Sequence, residues 1–284
     1  MGGICLKNAI LVIVLFVALV VSTAISDYAY SESVYSARID EQIRYMSLDA
    51  DRHAKYSGFT VEQLGEGYIN PDDFLGKVLI DVPVINQFPE LPVGCEIASA
   101  VSVLNYIGYD IDKTEFTEKY ITWDDSFKYD KNDKLHGPDP YKVFAGDPFK
   151  WGYGCYAPVL TESINRYFED TGSSDMAIEL NNVNIADLEK LVDEGVPVIV
   201  WASQEMMSYK YKESASWVVN GTSEEHQWLS NTHVLVFVGY DTNCYYFMDC
   251  NDKTEIMPYS KQGFINRWTE QGSQSIVIKI QENS

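Results

Sequence analysis

"NQFPELPVGCEIASAVSVLNYIGY", residues 86–109, is the stretch on which the fold turns. A proline-interrupted, irregular run ends at Gly94-Cys95. From there Ile97, Val101, Leu104 and Gly108 form one helical stripe, and Ala100, Val103 and Ile107 form another. A helix apolar on nearly every side is buried on most faces. The spacing therefore predicts a central helix beginning near Cys95. There the thiol meets the positive end of the helix dipole and free backbone N–H groups, which favour thiolate. Gly94 would leave a substrate carbonyl room to approach. A lone cysteine is equally an ordinary packed core thiol, so the rest of the chain has to discriminate.

Around this helix the elements read in order. "KVLIDVPVIN" (77–86) is β-branched and predicts one or two strands. Asp112, with Glu115 three residues on, reads as a helix start, and 122–154 reads as loop. "APVLTESINRYFEDTG" places Pro158 in a first helical turn and Gly172 past the end. "NIADLEKLVDEG" repeats the pattern with Asn184 as cap, Asp187 at the third position and Gly195 as stop. "VPVIVWAS" (196–203), "HVLVFVGY", "YYFMD" and "SIVIKI" read as strands, after a polar, Trp-containing insertion at 204–231. Helices come first and strands later, which predicts an α+β fold with an antiparallel sheet packed on the central helix.

His233 opens "HVLVFVGY" and Asp249 closes "YYFMD", each eight residues from Asp241. An odd loop or a bulge in that hairpin puts both side chains on one sheet face, whereas a two-residue Thr-Asn turn without a bulge separates them. On one face, the carboxylate orients the imidazole and leaves its other nitrogen to act as base toward a thiol. Gln87 lies eight residues before Cys95 and offers an amide to an oxyanion beside the Cys95 N–H. Asn86 is adjacent and chemically equivalent. His53, His136 and His226 read as solvated loop residues, His226 with the option of lining the cleft. Cys155 precedes a helix but stands apart from its body, and Cys250 reads as a packing thiol.

The chain has 284 residues, with 42 acidic and 21 basic side chains and a net charge of −21. That charge repels phosphate backbones and excludes nucleic acid as a natural partner. It suits solubility, or a cleft that attracts a cationic peptide. The five cysteines do not form a disulfide framework in a domain of this size. No Cys/His group has zinc-site spacing, and "DKNDKLHG" (130–137) fails as a calcium loop at Lys134 and Leu135, so no metal or cofactor is expected. Ala9 to Ile25 is an uncharged 17-residue run after Lys7. It reads as a membrane anchor or a signal peptide, with Ser22-Thr23-Ala24 as a cleavage site. The expected organisation is export segment 1–26, polar stalk 27–75 and catalytic domain 76–284. The expected location is extracytoplasmic, on the cell surface through an uncleaved membrane segment or secreted.

"DVPVINQFPELPVGCEIASAVSVLNYIGYDIDKTEF", "FAGDPFKWGYGCYAPVL", "LEKLVDEGVPVIVW" and "HVLVFVGYD…YYFMD" occur in that order. Together they resemble the bacterial C-thirty-nine-like peptidases, relatives of the double-glycine-leader peptidases of bacteriocin exporters. The resemblance spans roughly 78–280. It implies a papain-like cysteine peptidase fold with Cys95 as nucleophile, His233 as general base and acid, Asp249 as orienting carboxylate and Gln87, rather than Asn86, in the oxyanion hole. It also implies a peptide or protein substrate; the net charge adds the expectation of a cationic one, with cell-wall-associated material as the other candidate. Cys250 departs from the pattern, since proline commonly follows the aspartate. Acyl transfer to an amine, or a surface binding module on the same fold, are the alternative functions.

Overall fold

The computed structural model describes residues 78–209, 215–251 and 256–281. The export segment and stalk expected at 1–75, with Cys5 and His53, lie outside them. Among the described residues no helix is long and apolar enough to cross a membrane.

The helix read from the opening stretch is α1, Cys95–Tyr106, and everything from Cys95 to Leu104 is buried. It packs against β10, Thr232–Tyr240, the longest strand of a seven-stranded antiparallel sheet. Along that sheet the order is β12 (Met257–Ser260), β11 (Cys244–Met248), β10, β7 (Val198–Ser203), β13 (Ser275–Lys279) and β6 (Met176–Glu179). The short β1, Val78–Leu79, pairs with the far end of β10, beyond the reach of β7. β7 is buried at every position, as its unbroken apolar run requires.

The helix-end signals operate as written. Asp112 accepts from the N–H groups of Thr114 and Glu115 and caps α2, Lys113–Tyr120. Asn184 and Asp187 form a reciprocal capping box on α4, Ile185–Asp193. α3, Ala157–Thr171, ends at Gly172 in the left-handed region, with φ 71°. α5, Lys261–Glu270, lays Phe264 on Phe237, Tyr245 and Phe247.

Two regions are more ordered than the sequence suggested. Residues 122–154 carry β2 (Trp123–Asp124), β3 (Lys128–Tyr129), β4 (Leu135–Gly137) and β5 (Phe144–Ala145). The 204–231 insertion contributes β8 (Ala215–Val219) and β9 (Glu225–Trp228), which join β3 and β4 in a second, four-stranded sheet. Trp217 is buried there and its Nε1 donates to the Pro138 carbonyl at 2.8 Å. His226 is likewise buried, among Tyr156, Trp217 and Trp228, rather than solvated. His136 lies on β4, part-buried and 3.4 Å from Asp130.

Candidate active site

Cys95 is the first residue of α1, and its own N–H has no partner within the helix. Gly94 is required there by packing: a Cβ would stand 2.5 Å from the Leu91 Cβ. That replaces the substrate-access reason expected of it. The thiol is 8% exposed, and burial, then the Glu96 carboxylate and Cys250, push it well above its ordinary pKa, against a bond from the Val234 backbone. The helix dipole does not leave a standing thiolate.

The imidazole that shares the Cys95 cavity comes from the β10–β11 hairpin. The turn is the two-residue Thr242-Asn243 form, with Tyr240 opposite Tyr245. A register shift between Phe237 and Gly239 inserts one extra residue into β10. This bulge restores matching parity, and His233 and Asp249 reach each other diagonally rather than directly across. His233 Nε2 donates to Asp249 Oδ1 at 2.8 Å, with both side chains 2% exposed. Oδ1 also accepts from Asn251 N–H, and Oδ2 accepts from the Tyr259 hydroxyl at 2.9 Å. Burial works to raise the Asp249 pKa. The bond and charge of His233, the Asn251 N–H and Tyr259 outweigh it and hold the carboxyl low. An ionised carboxylate only accepts, so Nε2 carries the proton and Nδ1 is the nitrogen left to act as base.

Gln87 and Asn86, equivalent in sequence, part company in space. Gln87, Cys95, Glu96 and His233 line one cavity of about 190 Å³, whereas Asn86 lines a separate hollow with Lys113. The Gln87 amide is oriented at both ends: Nε2 donates to the Pro92 carbonyl at 2.9 Å, and Oε1 accepts from the Cys250 thiol at 3.6 Å. Its backbone is held from outside by Lys113, whose ammonium donates to the carbonyls of Asn86, Gln87 and Phe88 and pairs with Glu90 at 2.7 Å.

Glu96, missed in the sequence reading, is buried beside the thiol. Cys95 Sγ donates to its Oε2 at 3.3 Å, and the Cys155 N–H donates to its Oε1 at 2.8 Å. Burial raises its pKa to about 7. The signal was a carboxylate in a helix otherwise apolar on that face. Cys155 is fully buried, and its carbonyl accepts from Trp201 Nε1, so it serves as packing. Cys250 is buried against Gln87 and the carbonyls of Cys95 and Val234, and it does not line the cavity. His233, Asp249 and Cys250 bring ligand atoms within 4.8 Å of one another. The imidazole and carboxylate are engaged with each other, and the Cys250 thiol faces other acceptors. The group is a hydrogen-bonded knot.

A thiol on a buried helix, and an imidazole–carboxylate pair on the antiparallel sheet against it, define the papain-like α+β class of cysteine peptidases. Residues 79–276 match the model of the Peptidase_C39 like family, and the chain belongs to that family. A crystal structure from Bacillus anthracis, described as a C39-like peptidase, superposes with a TM-score of 0.62 at 26% identity, covering 73% of this chain and 99% of that one. The uncharacterized protein YvpB of Bacillus subtilis (strain 168) is 28% identical over 211 residues, 70% of this chain and 75% of that protein. The peptidase domain of Streptococcus ComA, a bi-functional ABC transporter, matches at 14% identity and TM-score 0.42, over 70% of this chain and 99% of that domain.

Proposed function

We propose that the chain is a thiol peptidase or amidase that hydrolyses an amide bond of a peptide or protein substrate. Cys95 is the nucleophile, His233 the general base and acid, Asp249 its orienting carboxylate, and Gln87 the oxyanion donor. The observation that carries this reading is the buried His233–Asp249 pair, whose imidazole stands in the wall of the cavity that Cys95 and Gln87 share. In the first step the Cys95 proton passes to His233 Nδ1 as Sγ bonds to the carbonyl carbon. The oxyanion accepts from the second Gln87 Nε2 hydrogen and from Cys95 N–H. Collapse breaks the C–N bond, the imidazolium protonates the departing amine, and a thioester remains. Water then gives a proton to Nδ1, attacks the thioester and releases the carboxylic acid and the thiol.

We assign the reaction to the extracytoplasmic side, on the 17-residue uncharged run Ala9–Ile25 behind Lys7, with the protein anchored or secreted. Fractionation of expressing cells tests this: recovery of the protein in the cytosol overturns it.

Incubating the full chain with a peptide library and reading products by mass spectrometry tests the chemistry. Cleavage should vanish in Cys95→Ala and His233→Ala and persist in Cys250→Ala. Cleavage surviving Cys95→Ala removes this assignment.

A further inference from the structure

The cavity beside Cys95 has the chemistry of a cation site. At about 190 Å³ it is smaller than a pocket for a whole organic ligand and suits a single side chain. Glu96 lies in its wall, 1% exposed, and Trp151, Tyr153 and Trp228 line it as well. The remaining polar liners are Gln87, Gln204, Ser230 and Thr232 together with Cys95 and His233; the His233 imidazole is engaged by Asp249, and no described lysine or arginine is among the lining residues.

The carboxylate and the aromatic wall are brought together at Gly154. A Cβ there would stand 2.2 Å from Glu96 Oε1 and 3.2 Å from Trp228 Cη2, so the glycine is what lets them close on each other. Trp151 is 78% exposed at the mouth, tilted against Phe88 with ring centroids 6.3 Å apart. A large exposed indole beside a buried carboxylate suits an ammonium or guanidinium on an aliphatic stem. An apolar occupant would leave the buried carboxylate with only the His233 imidazole, itself engaged by Asp249, as a neighbouring cation. Burial already lifts the Glu96 pKa to about 7, the mark of a carboxylate that a cation would relieve.

We propose that Glu96 is a specificity-determining residue, forming with Trp151, Tyr153 and Trp228 a subsite for a cationic side chain next to the scissile amide. The inference rests on the proposed role of Cys95 for where that amide lies. The net charge of −21 favours arrival of such substrates.

The test uses Cys95 itself and needs no known substrate. The full chain at pH 8 is treated with 2-aminoethyl, ethyl and 2-sulfonatoethyl methanethiosulfonates. Each forms a mixed disulfide with the thiolate as methanesulfinate leaves, and modification of Cys95 is timed by peptide mass spectrometry. Taken relative to glutathione, the cationic reagent should outpace the neutral ethyl reagent by about ten- to a hundredfold, as a charge-assisted contact supplies. The anionic reagent should lag. In Glu96→Gln, whose amide oxygen still accepts from Cys155 N–H, the cation-to-neutral ratio should fall toward that of glutathione. A wild-type ratio no greater than glutathione's, or an anionic rate equal to the neutral one, overturns the proposal without reference to any variant. A ratio that persists in Glu96→Gln overturns it too. Failure of the peptidase reading looks different: charge selectivity remains while no peptide is cleaved.

Discussion

Asp249→Asn separates the charge of the orienting group from its shape. The amide keeps an oxygen toward His233 Nε2 and Asn251 N–H, and its NH2 replaces the oxygen that now accepts from Tyr259, whose hydroxyl can turn and accept. The fold should survive with a small change in Tm. What disappears is the attraction between carboxylate and imidazolium. At centres about 4 Å apart and an effective dielectric of about 20, that is about 4 kcal/mol. A neutral hydrogen bond returns about 1 kcal/mol. The remaining ~3 kcal/mol is about a hundredfold in the stability of the thiolate–imidazolium pair. Burial and Glu96 push Cys95 upward, so this pair is its route to thiolate near neutrality. The rate of iodoacetamide labelling at Cys95 at pH 7, read by peptide mass spectrometry, should therefore fall about a hundredfold. A folded variant labelled within fivefold of wild type would refute the reasoning.

Three further outcomes follow from the same geometry. Gln87→Ala should slow peptide cleavage about 10²- to 10³-fold, as loss of one oxyanion donor does, while Asn86→Ala changes it little; equal losses would remove the distinction. Glu96 has a pKa raised to about 7 from 4.5, so its stabilisation is complete below 4.5 and lost as pH rises through 7. Glu96→Gln should accordingly gain about 3 kcal/mol on wild type between pH 4.5 and 8, measured by urea unfolding, and an unchanged difference across that range refutes it. Lys113→Met keeps the packed stem but frees the carbonyls of residues 86–88. Stability should fall about 2 kcal/mol, and kcat should fall with KM little altered, because Gln87 loses its seat; unchanged kcat would show that the loop holds its own shape.

The parts of the fold legible in the sequence are those governed by local periodicity and caps. The all-round apolar pattern after Cys95 gave α1, and Asn184 with Asp187 gave the start of α4. The pairing of His233 with Asp249 was readable only as a condition on the hairpin. The bulge at Val238 that satisfies it is bounded by Gly239, where a Cβ would stand 2.2 Å from the Val78 carbonyl oxygen; a glycine inside a strand signals a bulge or a close backbone approach without fixing the register that results. Gln87 and Asn86 could not be told apart because their difference lies in which hollow each side chain lines, and both hollows are walled by residues from other parts of the chain. Glu96 and the aromatic wall were missed for the same reason. Burial of a carboxylate is decided by the 151–155 segment and β9, which lie far off in the chain.

The packing of α1 on β10 also sets when the thiol and the imidazole come to share a cavity. Ser99 donates to the Val234 carbonyl across 135 positions of sequence, and Cys95 and His233, which line one cavity, stand a similar span apart in the chain. Contacts of that separation form only after a large loop has closed, so they belong to the late part of folding. A nascent or half-folded chain would hold the thiol without its imidazole. Competence to attack an amide would then arrive with the completed sheet, and unfinished chains would be unable to cut one another.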